Sequence, residues 1–349
     1  MNTVLNSLVI LTGFSLLYPF AAVSQNYPSQ PVRVIAPAAP GGGVDIMARL
    51  LANSFSESFG QRFIVENRNP SVLAGELVAK APANGQVLML STSTYLVNKW
   101  LHNNLSYEPL RDIAPISLVG STPIIIVSHP SLPVKNVKEL IELAKRKPGE
   151  LNFASGGSGS PLHLAGELFK LEAKVNIVHV AYRGTAPAAA DMLSGQVQLM
   201  FPSVISMYPH IQSGRTRVLA VLSPKRSQTL PEVPTSAEAG LPGLNASIWF
   251  GLLTTNGTPK SVIDQLHQAV VKTVATKDFR ERLARDNVDP IGNSPDEFAA
   301  FASTESAKWG RVIKGANIKV GLQEVVWVNC GGKSSVCRVK KDVSWVARN

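Results

Sequence analysis

The chain has 349 residues, of which 45% are hydrophobic and only 17% are charged. This composition is typical of a globular protein with a large buried core, and the length favours two domains. The formal net charge is +10, but Lys and Arg are scattered and no basic helix is interleaved with aromatic residues. We therefore expect no nucleic-acid partner, and the general positive field favours anionic solutes instead.

The N-terminus carries a candidate export signal. Residues 5–20 form an apolar run that is too short for a comfortable membrane span, and the small residues Ala21 to Ser24 follow it. We interpret residues 1–24 as a signal peptide that is cleaved before Gln25, so that the mature chain works outside the cytoplasm. Because no Lys or Arg precedes the apolar run, a retained N-terminal anchor is the alternative.

The mature chain alternates strand patterns with helical ones. Strand patterns cover residues 32–36, 63–66, 87–90, 124–127, 151–154, 177–180, 197–201, 218–221 and 248–253. Helical patterns cover residues 45–55, 73–80, 137–144, 162–169, 187–193 and much of 259–318. This alternation predicts an α/β fold in which each lobe is a mostly parallel sheet flanked by helices. Ligands then bind beyond the carboxyl ends of the strands.

The packing of the terminal helices suggests a two-lobed arrangement. The simplest arrangement returns these helices to the first lobe, which then comprises residues 25–122 and 250–320. Residues 123–249 form the second lobe, with hinge segments near Ile124 and near Trp249. Residues 321–349 form a C-terminal extension of unknown role, in which residues 325–328 are either an edge strand or disordered.

Both cysteines of the chain, Cys330 and Cys337, lie in this extension. An oxidising compartment would allow a disulfide between them. They have no Cys or His partners at zinc-ligand spacing, and the histidines of the chain show no metal-binding pattern. We expect neither a metal nor a cofactor.

Two glycine-rich turns are the most informative motifs. Residues 40–45 read Pro-Gly-Gly-Gly-Val-Asp and residues 155–160 read Ser-Gly-Gly-Ser-Gly-Ser, and each turn lies between a predicted strand and a predicted helix. Glycine lets the backbone approach a ligand closely, and the N-terminus of the following helix attracts anions. Two such turns suggest two lobes that grip one small anion, whereas tight packing alone is the structural alternative for each turn.

Several motifs together resemble one known family. They are Tyr27 to Arg33, Pro40 to Arg49, Val65 to Arg68, Asp112 to Val119, Gly166 to Phe169, His179 to Gly184, Leu230 to Thr235 and Trp249 to Leu253. In order and spacing the chain resembles the Bug or TctC-type periplasmic receptors of tripartite tricarboxylate transporters. The resemblance implies a two-lobed, type II-like periplasmic binding protein that closes about a hinge. Such a receptor captures a small carboxylate in its cleft and delivers it to a membrane permease.

The resemblance also implies a set of ligand-binding residues. Those in the glycine turns are Ala38, Gly41, Gly42, Gly43, Ser155, Gly156, Gly157, Ser158 and Gly159, and those at the far end of the ligand are Ser93, Tyr182 and Ser203. His163, at the start of the helix after the second turn, is a further candidate on its position. Many relatives have Phe-Asp-Asn where this chain has Phe201-Pro202-Ser203. Because Pro202 cannot pair with a cation, we expect a ligand without an amino group.

Other functions are less well supported by the residues. A hydrolase that uses Ser158 is disfavoured, because a nucleophile elbow requires glycine where this chain has Ser160. We expect no enzyme, and we interpret Arg183 as solvent-exposed. A receptor that signals through a sensor kinase instead of a permease is the alternative, and we expect a monomer in either case.

Overall fold

The computed structural model describes residues 27–182, 184–285 and 287–318, together with the backbone of residues 325–329 and 336–340. The predictions for the signal peptide, for Arg183 and for a disulfide between Cys330 and Cys337 fall outside these residues. Within the described ranges, no helix is long and apolar enough to cross a membrane.

The first sheet has six strands. They are β1 (Val32–Ala36), β2 (Phe63–Asn67), β3 (Val87–Ser91), β4 (Ile113–Pro123), β10 (Ser247–Thr255) and β11 (Asp289–Pro290). The helices in the same parts of the chain are α1 (Gly43–Phe59), α2 (Ser71–Ala79), α3 (Thr94–Leu101), α4 (Pro109–Asp112), α9 (Lys260–Ala275), α10 (Lys277–Arg285) and α11 (Pro295–Gly315). The strand order is β11-β4-β10-β3-β1-β2.

The second sheet has five strands. They are β5 (Ile125–Ser128), β6 (Asn152–Ser155), β7 (Val178–Ala181), β8 (Leu199–Met200) and β9 (Arg217–Val221). The helices between them are α5 (Val137–Arg146), α6 (Pro161–Ala173), α7 (Thr185–Leu193) and α8 (Val204–Gln212). The strand order is β7-β6-β8-β5-β9. In the C-terminal extension, β12 (Val325–Asn329) and β13 (Val336–Lys340) pair antiparallel, which agrees with the strand alternative for residues 325–328.

Alternation along the central strands divides the first lobe into two cores. Val34 and Leu88 share one core with α1 and α9, whereas Ile35 and Met89 share the other with α2, α3 and α11. All four side chains are no more than 1% exposed. The apolar runs therefore form strands that are buried on both faces, as the alternation of strands and helices predicts.

Both sheets contain more antiparallel pairing than the sequence pattern suggested. β1 pairs in parallel with β2 and β3, and β6 pairs in parallel with β7 and β8. β4, β10 and β5 instead run antiparallel to their neighbours. The reason is connectivity, because β4 leads into the second sheet and β10 leads back out of it. Two lobes of helices and sheets remain, as expected.

Three strands carry the chain between the two sheets: β4 and β10 in the first sheet and β5 in the second. We call them the crossing strands. β4 ends at Pro123 and β5 begins at Ile125. Between them, Ile124 donates its N–H to the carbonyl of Ala246 at 3.2 Å, just before β10 begins. Trp249 lies inside β10, opposite Ser121 of β4.

The long helix α11 packs into hydrophobic cores on both sides of the crossing strands. Its Trp309, Val312 and Ile313 belong to the same core as the second-lobe helices α5 and α6. Glu305, which is 6% exposed, accepts hydrogen bonds from the indole N–H of Trp249 at 3.2 Å and of Trp309 at 2.8 Å. One buried carboxylate thus joins a crossing strand to the terminal helix.

Candidate ligand-binding site

A cavity of about 590 Å³, here called the front cavity, lies between the two sheets. The first sheet contributes Pro37, Asn69, Pro70, Ser71, Val72, Leu73, Thr94, Val97, Asn98, Leu101 and His102, and the second contributes Gly156, Gly157, Ser158, Gly159 and Ser160. These segments follow the carboxyl ends of β1, β2, β3 and β6. This is where an α/β fold places its ligands.

The second glycine turn is fixed from behind by hydrogen bonds. Gly157 N–H donates to the Ser155 hydroxyl at 3.2 Å, and Gly159 N–H donates to His163 Nδ1 at 3.0 Å. The Ser160 hydroxyl caps α6 by accepting from His163 N–H at 3.3 Å. Gly157 and Gly159 have φ values of +134° and +77°, which L-residues rarely adopt, so this turn requires glycine at both positions.

Two backbone donors of this turn are candidates for contact with a ligand. Within the described part of the chain, nothing accepts the N–H groups of Gly156 and Ser158. Both residues line the front cavity. A buried or half-buried N–H without a partner favours an acceptor such as a carboxylate oxygen.

A pair of stacked histidines supports the second turn. The ring centroids of His163 and His179 are 3.7 Å apart, and His179 Nε2 lies 2.6 Å from the Ser155 hydroxyl. Burial, helped by the nearby His163 and Lys170, holds the pKa of His179 well below its usual range. His163 is 5% exposed and is not part of the front-cavity wall.

A partly buried ion pair lies beside these rings. Glu167 Oε2 is 2.8 Å from Lys170 Nζ, and Glu167 Oε1 is 3.7 Å from His163 Nε2. Although burial opposes ionisation, the nearby His163 and a hydrogen bond from Lys170 hold the pKa of Glu167 below its usual range. The carboxylate is therefore charged and paired with Lys170.

In the first glycine turn, three backbone donors have protein acceptors. Ala38 N–H donates to Ala36 O at 2.8 Å, Gly42 N–H to Ala39 O at 3.1 Å, and Gly41 N–H to Asp45 Oδ2 at 2.8 Å. Of the four positions suggested by the resemblance, Gly43 alone has an N–H that no described residue accepts. Pro37 lines the front cavity, whereas Gly41, Gly42 and Gly43 do not.

Asp45 organises this turn with an ionised carboxylate. It is 3% exposed, and besides Gly41 it contacts Arg49 at 3.0 Å and accepts from Asn67 Nδ2 at 2.9 Å. Hydrogen bonds from Arg49 and from the Gly41 backbone lower the pKa of Asp45 to about 2. Asn67 Nδ2 also donates to Ala38 O at 3.0 Å, so one carboxylate and one amide fix the whole turn.

The remaining candidates lie outside the front-cavity wall. Ser93 is buried at the start of α3, and the Ser203 hydroxyl donates to Ser206 at 3.2 Å. The Tyr182 hydroxyl donates to Asp191 Oδ2 at 2.7 Å, and burial together with this contact raises the Tyr182 pKa.

The first-lobe wall of the cavity was not among the predicted positions. Pro70 precedes α2 without a side-chain cap, and the Ser71 hydroxyl donates to Asn98 Oδ1 at 3.2 Å. Asn98 Nδ2 in turn donates to the Tyr107 hydroxyl at 3.0 Å. The Asn-Pro-Ser signal after a strand marks a helix start that faces the ligand edge of the sheet, and it would have indicated Ser71. Asn98 carries no such signal.

A second cavity of about 690 Å³, here called the rear cavity, also lies between the lobes. Its walls include residues 223–229 after β9, residues 287–290 around β11, and Arg280 of α10. In each sheet the crossing strands separate this edge from the strands beside the front cavity. The two cavities therefore lie on opposite sides of the crossing strands. At the rear, the Thr229 hydroxyl donates directly to Asn287 Oδ1.

Comparisons with known proteins agree with this architecture. A family model described as the tripartite tricarboxylate transporter family receptor, TctC, matches residues 47–318. The chain belongs to this family. It is 35% identical to protein BugT of Bordetella pertussis over 302 residues, which cover 85% of this chain and 93% of BugT.

Two of the similar solved structures are complexes with small carboxylates. R. palustris Rpa4515 with adipate is 32% identical with a TM-score of 0.76, and covers 84% of this chain and 100% of its own. MatC from Rhodopseudomonas palustris with bound malate is 28% identical with a TM-score of 0.73, and covers 82% of this chain and 100% of its own. The TctC assignment confirms the family and the two-lobed periplasmic-binding-protein fold predicted from the motifs. Members of this family are solute-binding receptors of the periplasm rather than enzymes.

Proposed function

We propose that this chain is a periplasmic receptor that captures a small carboxylate between its lobes and delivers it to a tripartite tricarboxylate transporter permease. The observation that carries this proposal is a pair of N–H groups in the wall of the front cavity, at Gly156 and Ser158, that no described residue accepts. Relatives with adipate and with malate support the same ligand class.

The chemistry of the cavity wall favours an anion with an aliphatic body. No Asp or Glu is among the described residues that line the front cavity. A ligand ammonium group would therefore find no counter-ion there, which agrees with the expectation from Pro202. Val72, Leu73, Val97 and Leu101 offer apolar surface between the polar ends.

We propose residues 25–122 with 250–320 as one lobe, residues 123–249 as the other, and the segments near Ile124 and Trp249 as the hinge. Closure brings the first-lobe wall at Ser71 towards the second glycine turn. The ligand must bind the closed form more tightly than the open form by enough to shift their populations. The glycine-turn residues, with Ser93, Tyr182, His163 and Ser203, remain proposed positions around that ligand.

A thermal-shift screen of the mature chain tests the function. The panel consists of mono-, di- and tricarboxylates, amino acids and sugars. A ligand at one hundred times its dissociation constant adds about 2.7 kcal/mol to the free energy of unfolding. We expect stabilisation by one or more carboxylates and none by sugars. Stabilisation by sugars or cationic amino acids alone would contradict the proposal.

The binding step does not distinguish a transport receptor from a partner of a sensor kinase. Uptake of the identified carboxylate by cells with and without the neighbouring permease genes separates the two. We expect a monomer, which light scattering measures. For a hydrolase, a serine hydroxyl must contact a histidine ring. Among the described residues of the second turn, Ser155 makes this contact, with His179, and Ser155 is fully buried; Ser158 does not.

A further inference from the structure

In each glycine turn, a glycine N–H donates a hydrogen bond to the side chain of the third residue of the helix that follows. Gly41 precedes the N-cap of α1 and donates its N–H to Asp45, the third residue of that helix, at 2.8 Å. Gly159 precedes the N-cap of α6 and donates its N–H to His163, again the third residue, at 3.0 Å. The two lobes therefore repeat one arrangement, but the accepting side chain is a carboxylate in one and an imidazole in the other.

In the first lobe this position holds a negative charge. Asp45 is ionised and buried, and its oxygens also contact Arg49 and Asn67. A negative group in the first turn of a helix offsets the positive potential of the N-terminus. The first glycine turn thus already contains a carboxylate, supplied by the protein itself.

In the second lobe the same position carries no negative charge. Because His163 Nδ1 accepts from Gly159, its ring proton lies on Nε2, which faces Glu167 at 3.7 Å. The other groups around it are His179, stacked at 3.7 Å, and Lys170, which pairs with Glu167 at 2.8 Å. The N-terminus of α6 therefore keeps its positive potential, next to the open N–H groups of Gly156 and Ser158.

We propose that His163 is a positioning residue that makes the second turn the anion-accepting end of the front cavity, whereas Asp45 occupies the equivalent place in the first turn with the protein's own carboxylate. The inference rests on the proposed function. A ligand carboxylate docks on the second-lobe turn, and the first lobe then closes over the rest of the molecule.

Two isosteric variants at one position isolate the charge. In His163→Asn the amide oxygen takes the place of Nδ1 and still accepts from Gly159, while His163→Asp adds a negative charge to the same shape. We expect adipate and malate, measured by calorimetry on the mature chain, to bind His163→Asn within threefold of wild type. His163→Asp loses at least tenfold. Equal affinity of the two variants would overturn the proposal.

The matched substitution in the first lobe gives the opposite expectation. Asp45→Asn keeps an oxygen for Gly41 N–H and removes the charge, so affinity for the same two probes stays within threefold or rises. A loss as large as that of His163→Asp would overturn the proposal, because the carboxylate of Asp45 would then serve binding directly.

Measurements without ligand keep the two proposals distinguishable. Long-range ¹H–¹⁵N spectra of histidine-labelled protein at pH 7.5 report the ring tautomer, and His163→Asn assigns the signals by their disappearance. We expect neutral His163 with its proton on Nε2, and slow amide exchange at Gly159 in wild type and His163→Asn but not in His163→Ala. If neither probe binds wild type, the carboxylate function fails for them, while a charged or Nδ1-protonated His163 would itself overturn the positioning role.

Discussion

The front and rear cavities lie on either side of the same crossing strands but are lined differently. The front wall offers backbone donors and apolar side chains, with no carboxylate among its described residues. The rear wall carries charged side chains, among them Arg226, which pairs with Glu238 at 2.9 Å, and a direct bond between the lobes from Thr229 to Asn287. We propose the front as the solute site, whereas at the rear protein groups already bond to each other across the gap. On the proposed hinge, closing the front about these strands would open the rear.

The largest loss of carboxylate affinity is expected from a substitution in the second glycine turn. Gly157→Ala forces a Cβ onto a residue with φ of +134°, so the turn shifts and carboxylate affinity falls by roughly thirtyfold, about 2 kcal/mol. Gly214→Ala is the matched control, because Gly214 has φ of +69°, meets nothing within 4 Å and lines neither cavity. Calorimetry with the best carboxylate measures both. Equal affinities of the two variants would show that the turn does not hold the ligand.

The pH dependence of stability tests whether the ionised carboxylate of Asp45 stabilises the fold. Its folded-state pKa of about 2 lies below the ordinary value of 3.8, so its contribution to stability is complete above about pH 4 and is lost as the pH falls towards 2. We expect wild type to lose about 1 to 2 kcal/mol more than Asp45→Asn between pH 6 and pH 2. Urea unfolding at each pH measures this difference, and parallel pH profiles would contradict it.

Introducing a negative charge into the front-cavity wall tests whether the ligand bound there is an anion. Leu73 lines the front cavity and is 56% exposed, so Leu73→Glu is expected to fold. Affinity for a carboxylate falls about tenfold, or about 1.4 kcal/mol, through charge repulsion. Leu171→Glu, at a position 40% exposed and outside both cavities, is the control and leaves affinity unchanged. If Leu73→Glu binds as wild type does, the ligand lies elsewhere.

The smallest effect is expected at the rear. Thr229→Val removes the hydroxyl that bonds to Asn287, which makes closure of the front cavity easier. Carboxylate affinity then rises two- to threefold, about 0.5 kcal/mol. Thr229→Ser keeps the hydroxyl and behaves as wild type. A fall in affinity for Thr229→Val alone would mean that the rear bond supports the closed form.

The fold was predictable from the sequence because its signals are local. Each glycine turn lies between a buried strand and an amphipathic helix, and this order alone places both turns at the ligand edge of a sheet. The antiparallel course of β10 was not predictable in this way. Its direction depends on where β4 leaves the first lobe, which no short window of sequence records.

The front-cavity wall was also hard to predict, because its residues meet only in the folded chain. Asn98 contributes through Ser71 and Tyr107, partners that only the folded chain brings together. His163 carried a correct local signal as a residue at a helix start. The sequence did not show that its ring is stacked on His179 behind the turn, because His179 comes from a neighbouring strand.

A crystal structure of the mature chain with its best-stabilising carboxylate tests the central claim most directly. We predict carboxylate oxygens within hydrogen-bond distance of the Gly156 and Ser158 N–H groups, with the front cavity closed and the bond from Thr229 to Asn287 broken. A carboxylate bound elsewhere, or a closed front cavity with the rear bond intact, would contradict this account.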